Sequence, residues 1–393
     1  MIALATTVSA FFPVLVFWVS GTVLAYTFVG YSALMAMLAR GRTLRRGASA
    51  TQPDVCAVIV AHNEETRIGP RIENLLASDY PPGKLRILVV SDGSTDGTAA
   101  HAATIDPERV TVLVQPFRIG KAVGLNTALA QANGEVIVFT DARQRFATDA
   151  IARLVAHFAD PEIGAVSGDL EIDPASSAAG TGVSGYWRFE KLLRTAEARF
   201  DSCIGCTGAI YAIRRALFTP IPTDTVLDDV LIPMRLATAG YRVIHDPTAH
   251  AFDPQPLEPA AESLRKRRTL AGNFQMLFRH PGWLLPWRNR LWWQLISHKY
   301  LRLCAPIFLT LLLTTSLALA AHPFYRAALT LQLAFYLAAM LGFVFPALHG
   351  RIFALPAGFV FLNLMTLQGL WHYLTGASEV GWKSAGASGP TPK

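Results

Sequence analysis

Four long runs of residues without a charged side chain constrain this chain more than any other feature of its sequence. They extend over residues 1–39, 303–325, 327–348 and 352–378. Each run reaches or exceeds the roughly 20 residues that an α-helix needs to cross the apolar core of a bilayer. We therefore predict one transmembrane helix before and three after a polar middle region, the last three within residues 303–378.

The composition agrees with a membrane protein. Hydrophobic residues make up 52% of the chain and charged residues 16%, against roughly a quarter charged in soluble domains. The first run carries no basic residue of the kind that begins a cleaved signal peptide, so we expect residues 1–40 to stay in the membrane. One tilted helix is preferred there over two short ones, because only Ser20 and Gly21 offer a turn.

Arginines follow the first run directly and suggest an orientation. The positive-inside rule places the polar middle region in the cytoplasm, which makes the chain a multi-pass protein of the inner (cytoplasmic) membrane. The short basic loop at residues 349–351 is then expected on the same face. The arginines that carry this prediction are Arg40, Arg42, Arg45 and Arg46.

Residues 258–302 combine tryptophan with basic side chains. They hold four of the eight tryptophans, and nine Lys/Arg against one acid lie between Glu262 and Arg302. Such residues settle at headgroup depth, so we predict interfacial amphipathic helices that contact membrane lipids. A nucleic-acid surface is the rival interpretation, and the neighbouring membrane spans disfavour it; we expect no nucleic acid as a partner. Residues 379–393 are predicted to form a flexible tail.

Residues 51–257 alternate apolar strands with polar turns and helical segments. The four clearest strands are VCAVIVAH, LRILVVSD, VTVLVQP and EVIVFTDA. This pattern predicts an α/β domain with a mostly parallel sheet. Polar clusters end three of these strands, at residues 62–65, 91–97 and 140–143. Ligands of such sheets bind beyond the carboxyl ends of the strands, so we expect the three clusters to meet in one crevice.

Seven segments in this order resemble the family 2 glycosyltransferases with the GT-A fold. They are VIVAHNEE, VVSDGSTDGT, GKAVGLNTAL, FTDA, GCTGAIYAIRR, LDDV and RKRRTLAGNFQ. Together with the flanking apolar runs, they resemble membrane-integrated polysaccharide synthases and glycolipid-forming transferases of that family. The resemblance implies a nucleotide-sugar-binding domain and a UDP-sugar donor.

The resemblance also implies which residues bind the donor. Glu64 and Asp92 match positions that hold uracil and ribose, which suits the acceptor oxygens of carboxylates. Asp96 could contact the nucleotide, but it suits the N-cap of the next helix equally well. Lys121 is either a contact to the nucleotide or an exposed lysine at a helix start. The full set of implied donor-binding residues is His62, Asn63, Glu64, Asp92, Asp96, Lys121, Asp141 and Arg143.

Asp141 matches the first acid of the family's D-x-D motif, where carboxylates hold Mg²⁺ or Mn²⁺ on the diphosphate. Here the sequence departs from the family, because Arg143 stands in place of the second acid. A cation at that position either replaces part of the metal's charge or points elsewhere. We expect Asp141 to remain the metal ligand, with Arg143 and Arg145 binding phosphate directly as the alternative.

An acid pair and a small loop match the acceptor side of the family. Asp229 matches the catalytic base that an inverting transfer needs to remove the acceptor's hydroxyl proton. The alternative for the acid pair is a purely structural role, because acids at a helix start interact favourably with the helix dipole. Cys203-x-x-Cys206 also permits a zinc or redox site, but two reduced thiols are the simpler interpretation. The implied acceptor-side residues are Gly205, Cys206, Thr207, Gly208 and Asp228.

Arg268 matches the arginine of the family's Q-x-x-R-W motif, beside the diphosphate leaving group. Arg265 and Thr269 replace the glutamine and the tryptophan, and loss of the aromatic platform disfavours a processive polymerase. We predict sugar transfer to a lipid-linked or growing saccharide acceptor in envelope or exopolysaccharide or glycolipid biosynthesis. The alternatives are a processive synthase that exports its polymer and a catalytically silent partner in a polysaccharide assembly with further subunits.

Overall fold

The computed structural model describes residues 2–43, 52–172, 181–253, 259–345 and 350–376. Three sequence predictions fall outside these residues: the arginines Arg45 and Arg46, the loop residue His349 and the tail at residues 379–393.

The first apolar run is one continuous helical segment. Helix α1 (Ile2–Ala25) passes through a π-helical turn at Tyr26–Gly30 into α2 (Tyr31–Leu38). Its part Phe11–Leu38 is long and apolar enough to cross a membrane. The prediction of one N-terminal apolar helix is confirmed. Ser20 and Gly21 lie within α1 before the π-helical turn, so the chain passes them as regular α-helix.

The polar middle region contains the predicted strands. Each predicted strand forms within one or two residues of its expected bounds, because buried β-branched residues favour an extended chain between layers of helix. The strands are β1 (Val55–Ala61), β2 (Leu85–Asp92), β3 (Val110–Gln115), β4 (Val136–Thr140), β5 (Arg145–Phe146), β6 (Ile163–Ile172), β7 (Ile210–Arg214) and β8 (Arg242–Asp253).

Helices alternate with these strands along the chain. They are α3 (Glu65–Leu76), α4 (Thr98–Thr104), α5 (Lys121–Gln131), α6 (Ala150–Ala156), α7 (Thr181–Phe200), α8 (Asp228–Thr238) and α9 (Pro259–Arg279).

The described strands form one eight-stranded sheet in the order β3-β2-β1-β4-β7-β6-β8-β5. Strands β3, β2, β1 and β4 pair in parallel, as do β6 and β8. Strand β7 runs antiparallel to both of its neighbours, and β5 runs antiparallel to β8. The prediction of an α/β domain with a mostly parallel sheet is confirmed, with β7 and β5 as the antiparallel exceptions.

Apolar clusters cover both faces of the sheet. On one face Val58 and Phe139 pack with residues of α5 and α8. On the other face Ala57 and Val138 pack with residues of α3 and α6. Successive residues of a strand point to opposite faces, so the near-continuous apolar runs of β1 and β4 are what burial on both sides requires. The sheet is therefore a rigid base for the loops at its edge.

Three apolar helices follow the polar region, as predicted. A short helix α10 (Trp292–Leu295) continues through a π-helical turn at Ile296–Tyr300 into α11 (Leu301–Ala318). Two more helices follow, α12 (Pro323–Val344) and α13 (Arg351–Leu374). The helical segments Trp292–Ala318, Pro323–Val344 and Arg351–Leu374 are each long and apolar enough to cross a membrane.

The helix that contains α11 begins eleven residues before the predicted start of the apolar run, at Trp292 instead of residue 303. The added turns are helical because protein packs around them. Trp293 meets Tyr31 of α2 with ring centroids 5.4 Å apart, and His298 is buried. A sequence rule that counts uncharged residues cannot detect a helix stabilised by contacts to distant parts of the chain.

The end of α13 packs against the α/β domain. Leu370 and Tyr373 lie near that end and pack against the core of the domain, and Tyr373 stacks on Phe278 of α9. The expectation that the basic loop at residues 349–351 lies on the same face as the polar region stays a prediction.

Candidate active site

The polar clusters at the strand ends meet at one edge of the sheet. Strand β1 lies between β2 and β4, with Ala61 paired to Ser91 and Ile59 paired to Thr140. Because the three strands are parallel, their carboxyl ends share an edge. The loops that begin at residues 62, 93 and 141 therefore line one crevice, as the sequence predicts.

The loops after β1 and β2 are fastened to each other. The Asn63 side chain accepts a hydrogen bond from the Thr95 backbone N–H at 2.9 Å and donates to the Thr95 hydroxyl at 3.3 Å. Asp96 accepts from the backbone N–H of Thr98 at 3.0 Å and from that of Glu65 at 3.2 Å. Asp96 thus bonds the backbone N–H of the first residue of α4, while Gly97 holds the N-cap position itself.

His62 and Glu64 line the same loops. A ring nitrogen of His62 lies 2.8 Å from the Asp92 carbonyl oxygen. Glu64 pairs with Arg67 one helical turn later at 2.9 Å, and its side chain stays 25% exposed. The Glu64 carboxylate is accessible from the crevice edge.

Asp92 is fully buried, and its carboxylate already has two backbone partners. Its two oxygens accept hydrogen bonds from the Ile119 N–H at 2.8 Å and the Gly120 N–H at 2.9 Å. Gly120 has φ of +107°, a conformation that favours glycine, and it directly precedes α5. Asp92 therefore fixes the turn that presents Lys121, the first residue of α5.

Lys121 links the carboxylates of the crevice. Its ammonium nitrogen lies 3.0 Å from Asp141 Oδ1 and 3.7 Å from Asp228 Oδ2. The Tyr211 hydroxyl donates to the same Asp228 oxygen at 3.4 Å. Burial would lower the pKa of Lys121, but the charges of Asp141, Asp228 and Asp229 outweigh it and raise the pKa. Lys121 is therefore held as a cation between the end of β4 and the start of α8, and its side chain at the helix start is only 20% exposed.

The two predicted functional carboxylates have opposite environments. Burial would raise the pKa of Asp141, but Lys121, Arg268 and Arg143 outweigh it and hold the pKa below the ordinary value. For Asp229, burial and the neighbouring charge of Asp228 raise the pKa to about 6. One carboxylate is thus stabilised as an anion, and the other is tuned to exchange a proton near neutral pH.

Arg143, which replaces the second acid of the D-x-D motif, engages β8. Its guanidinium donates to Asp253 Oδ2 at 2.6 Å, and both side chains are mostly buried. The Asp141 side chain, in contrast, is 44% exposed. Of the two outcomes that the sequence allowed for Arg143, the contact to β8 is the one observed.

The loop before β7 packs against the start of α8. The Cys206 N–H donates to the Asp229 carbonyl oxygen at 2.7 Å. A Cβ added to Gly208 would lie 2.8 Å from Asp229 Oδ2, so only glycine fits there without displacing the carboxylate. Thr207 is held by the Ser167 hydroxyl, which accepts from its N–H at 2.9 Å. The predicted acceptor-side residues therefore surround Asp229.

The cysteines of this loop are buried and unbridged. Cys203 and Cys206 are free thiols with 0% and 7% exposure. Burial raises the pKa of Cys203 to about 11 and raises that of Cys206 well above its ordinary value. Thiolate is the form that binds zinc or attacks a disulfide, so these thiols support the interpretation of two reduced packing residues.

Helix α9 brings Arg268 to the crevice. The Gln275 side chain accepts from the Val226 N–H at 3.0 Å and donates to the Asp224 carbonyl at 2.9 Å, which docks α9 beside the start of α8. Arg268 is partly buried, and its charge is among those that lower the pKa of Asp141. Arg265, three residues earlier, is exposed. The structure thus separates two arginines that are close in sequence.

Sequence reasoning missed Arg71, which lies behind the crevice. It donates to the Thr140 hydroxyl at 2.7 Å and stacks over the Phe146 ring at 4.1 Å. Its side chain is 2% exposed, and burial lowers the pKa of the guanidinium to about 9, opposed by the charge of Asp141. The available signal was an arginine on the apolar face of α3, between Ile68 and Ile72.

A metal at Asp141 would have few protein ligands. Among the described residues, the group of three side chains placed to share a cation is Asp169, Glu171 and His250, on β6 and β8. There Asp169 already pairs with Lys191 at 2.7 Å. The donor set at Asp141 is a single half-exposed carboxylate. It fits Mg²⁺ or Mn²⁺ held jointly with diphosphate oxygens, which is how Mg²⁺ commonly binds, and does not fit a cage made by protein alone.

Comparison with known proteins supports this assignment of the fold. The chain is 30% identical over 225 residues to an N-acetylglucosaminyltransferase of Rhizobium leguminosarum bv. viciae, covering 52% of each protein. It is 31% identical over 162 residues to a beta-monoglucosyldiacylglycerol synthase of Synechocystis sp., covering 38% of this chain and 34% of that protein. The chain spans about half the length or less of these curated relatives.

A solved structure resembles nearly the whole chain. A mannosyltransferase from Pyrobaculum calidifontis, in complex with GDP-Man and Mn²⁺, superimposes with a TM-score of 0.66 at 26% identity, covering 90% of this chain and 99% of that one. The family profile described as "Glycosyl transferase family 2" matches residues 56–219, which hold the crevice from β1 to β7. Residues 56–219 form a glycosyl transferase family 2 domain.

Proposed function

We propose that this chain transfers a sugar from a UDP-sugar to a lipid-linked or growing saccharide acceptor at the cytoplasmic face of the inner membrane. The observation that carries the proposal is the pair of opposed carboxylates in one crevice. Asp141 is held as an anion and Asp229 is tuned to a pKa of about 6, with Lys121 between the end of β4 and the start of α8. This is the division of charge that a glycosyl transfer from a diphosphate needs.

The proposed donor site is the β1-β2-β4 side of the crevice. Glu64 offers a partly exposed carboxylate for the base and ribose, and Asp92 acts through the Ile119–Gly120 turn that sets the position of Lys121. A divalent cation held by Asp141 and the diphosphate would neutralise phosphate charge. Lys121 and Arg268 add positive charge beside the leaving group as it develops negative charge.

The proposed acceptor site is the loop at residues 205–208 with the start of α8. Asp229 is the base: it accepts the proton of the acceptor hydroxyl as the hydroxyl oxygen attacks the anomeric carbon and the nucleoside diphosphate leaves. Attack opposite the leaving group inverts the configuration at that carbon. The raised pKa of Asp229 places its proton affinity close to the working pH of a cytoplasmic enzyme, which favours general-base catalysis.

Membrane placement is part of the proposal. Four helical segments are long and apolar enough to cross a membrane, and α9 packs between the crevice and α13. This brings Arg268 close to the membrane-facing helices, which suits an acceptor carried by a lipid. The names of the relatives, an N-acetylglucosaminyltransferase and a glycolipid synthase, favour the same acceptor classes and a polysaccharide or glycolipid product.

The test is a screen for nucleotide release with the full chain in membranes. UDP-GlcNAc, UDP-glucose and GDP-mannose are compared, because the solved neighbour carries GDP-Man. We expect release from a UDP-sugar that requires Asp229. Release from GDP-mannose alone would contradict the assignment of uridine, and no release from any donor would support the alternative of a catalytically silent partner. Product length separates single addition from a processive, exporting synthase.

A further inference from the structure

Helix α7 connects the membrane helices to the acceptor-side loop. One face of it carries Glu190, Arg194 and Glu197, spaced at helical intervals of four and three residues. Glu190 and Glu197 contact the membrane-facing helices, and Arg194 contacts the loop beside Asp229. No sequence motif pointed to this face.

Arg194 is bonded to three parts of the acceptor-side structure. Its guanidinium donates to the Thr207 hydroxyl at 2.7 Å, to the Ser167 hydroxyl at 2.9 Å and to the Gly205 carbonyl at 3.3 Å. Ser167 in turn accepts from the Thr207 N–H. A planar guanidinium with several donors fixes its partners in a way that a lysine cannot.

This loop shapes the surroundings of Asp229. The Cys206 N–H bonds the Asp229 carbonyl, and Gly208 approaches the Asp229 carboxylate closely. Gly205 has φ of +77° and also lies against the start of α8, where an added Cβ would be 3.1 Å from the Asp229 carbonyl oxygen. A shift of the loop would therefore move Asp229 or admit water to it.

A buried ionic cluster holds α7 against the membrane-facing helices. The two ring nitrogens of His298 lie 2.6 Å from Glu190 Oε1 and 2.8 Å from Glu197 Oε1. Arg302 donates to Glu190 at 2.8 Å, and the Tyr31 hydroxyl donates to Glu197 at 2.6 Å. We call these five residues the α7 clamp.

The clamp lies at two irregular turns. His298 belongs to the π-helical turn Ile296–Tyr300, and Tyr31 follows the π-helical turn Tyr26–Gly30. The Tyr26 hydroxyl lies 2.8 Å from the Ser297 hydroxyl, so the two turns contact each other. π-Helical turns occur often at functional sites, where they redirect side chains. Here they direct groups from two helices onto α7.

We propose that Arg194 is a positioning residue that holds the acceptor-side loop against Asp229 during sugar transfer. In this proposal the α7 clamp ties Arg194 to the apolar helical segments that contain Tyr31, His298 and Arg302. The inference rests on the proposed function for its effect on turnover. The contact between Arg194 and the loop is testable without activity.

The first test measures the loop itself. Full-length protein in lipid nanodiscs is treated with a small maleimide, and alkylation of Cys206 is followed by mass spectrometry, with buried Cys56 of β1 as the internal reference. Arg194→Lys should raise the Cys206 rate roughly tenfold, since loss of hydrogen bonds from a charged group favours local opening. Ser167→Ala, a milder change, should act in the same direction. An unchanged Cys206 rate in both variants would overturn the proposal.

Arg214→Lys is the matched control. Arg214 also makes three bonds, to the carbonyls of Ile163, Phe158 and Asp160, but at the opposite end of β7 from the loop. It should lower thermal stability without raising alkylation of Cys206. A similar increase in both arginine variants would mean general loosening and would contradict a specific role of Arg194.

The second test measures the reaction. Arg194→Lys should lower kcat roughly tenfold or more and raise the acceptor KM, while the donor KM stays unchanged. The acid limb of the kcat profile should move to lower pH, because hydration of Asp229 removes part of the burial that raises its pKa. Unchanged kcat and an unchanged acid limb would overturn the positioning role. If the wild type releases no nucleotide from any donor, the proposed function fails, and the alkylation rates still decide whether Arg194 holds the loop.

A third comparison tests the link to the membrane-facing helices. Tyr31→Phe removes the hydroxyl that donates to Glu197 at 2.6 Å. The matched control is Tyr80→Phe, which removes a hydroxyl that donates to the Pro53 carbonyl at 2.6 Å within the catalytic domain. Alkylation of Cys206 should rise about threefold in Tyr31→Phe and stay unchanged in Tyr80→Phe. Equal rates in the two variants would contradict the role of the α7 clamp.

Discussion

Asp141 and Asp229 are the same residue type in one crevice, yet their surroundings act on them in opposite directions. Asp141 directly follows β4 and lies among Lys121, Arg268 and Arg143, which lower its pKa. Asp229 is the second residue of α8, beside Asp228 and against the loop at residues 205–208, and its pKa rises to about 6. The donor side of the crevice therefore holds charge, and the acceptor side exchanges a proton. The predictions below test this division.

The largest effect is expected on the donor side. Chelation of divalent cations, or Asp141→Ala, should reduce nucleotide release to background, because loss of the metal's charge costs several kcal/mol in the transition state. Arg143→Ala is the matched variant, two residues later but bonded to Asp253. It should keep most activity and the full sensitivity to chelator. Activity that ignores the chelator and disappears with Arg143→Ala would mean that Arg143 supplies the charge of the metal.

The next effect concerns the acceptor side. Asp229→Asn should lower turnover by about 10²–10⁴-fold, the scale of general-base catalysis, because the amide cannot accept the hydroxyl proton. Binding of the UDP-sugar, measured by calorimetry, should be nearly unchanged, since Asp229 lies on the other side of Lys121. Retained turnover, or loss of donor binding, would show that the two sides of the crevice are not separate.

A smaller loss is expected at Arg268. Arg268→Ala should cost about 2–4 kcal/mol in kcat/KM, as for removal of one preorganised donor beside a leaving group. Arg265→Ala changes an exposed arginine on the same helix and should cost much less. Parallel kinetics of the two variants measure the difference. Equal losses would contradict the assignment of Arg268 to the donor side.

The mildest perturbation is pH. Asp229 must be ionised to act as a base, and its pKa is raised to about 6. Because protonation of Asp229 removes the base, kcat should fall tenfold for each pH unit below about 6 and stay constant above it. Asp141 has a lowered pKa and stays ionised through this range. A profile of kcat from pH 4.5 to 8 checks this. An acid limb near the pKa of an ordinary aspartate would remove the proposed contrast between the two carboxylates.

The sequence allowed close prediction of the strands and of their polar ends. Buried parallel strands have a nearly continuous apolar pattern, and parallel pairing requires that β1, β2 and β4 end at one edge. The prediction that Lys121, Asp141 and the Asp228–Asp229 pair belong to one site depended on family resemblance. The distances of 3.0 and 3.7 Å around Lys121 show them together. The bonding of Asp92 to backbone amides was not predictable, because its partners lie 27 and 28 residues away.

By itself the sequence determined the four apolar helices and the α/β domain, because these follow from local apolar periodicity and from the order of the strands, whereas the site residues were implied by family resemblance. Only the tertiary structure decided the packing of the end of α13 on the α/β domain, the contact of Arg143 with Asp253 and the opposite pKa shifts of Asp141 and Asp229. The physical reason is that a side chain's charge state and partners depend on groups brought near it by folding. Spacing along the chain carries no measure of burial or of distance between remote residues.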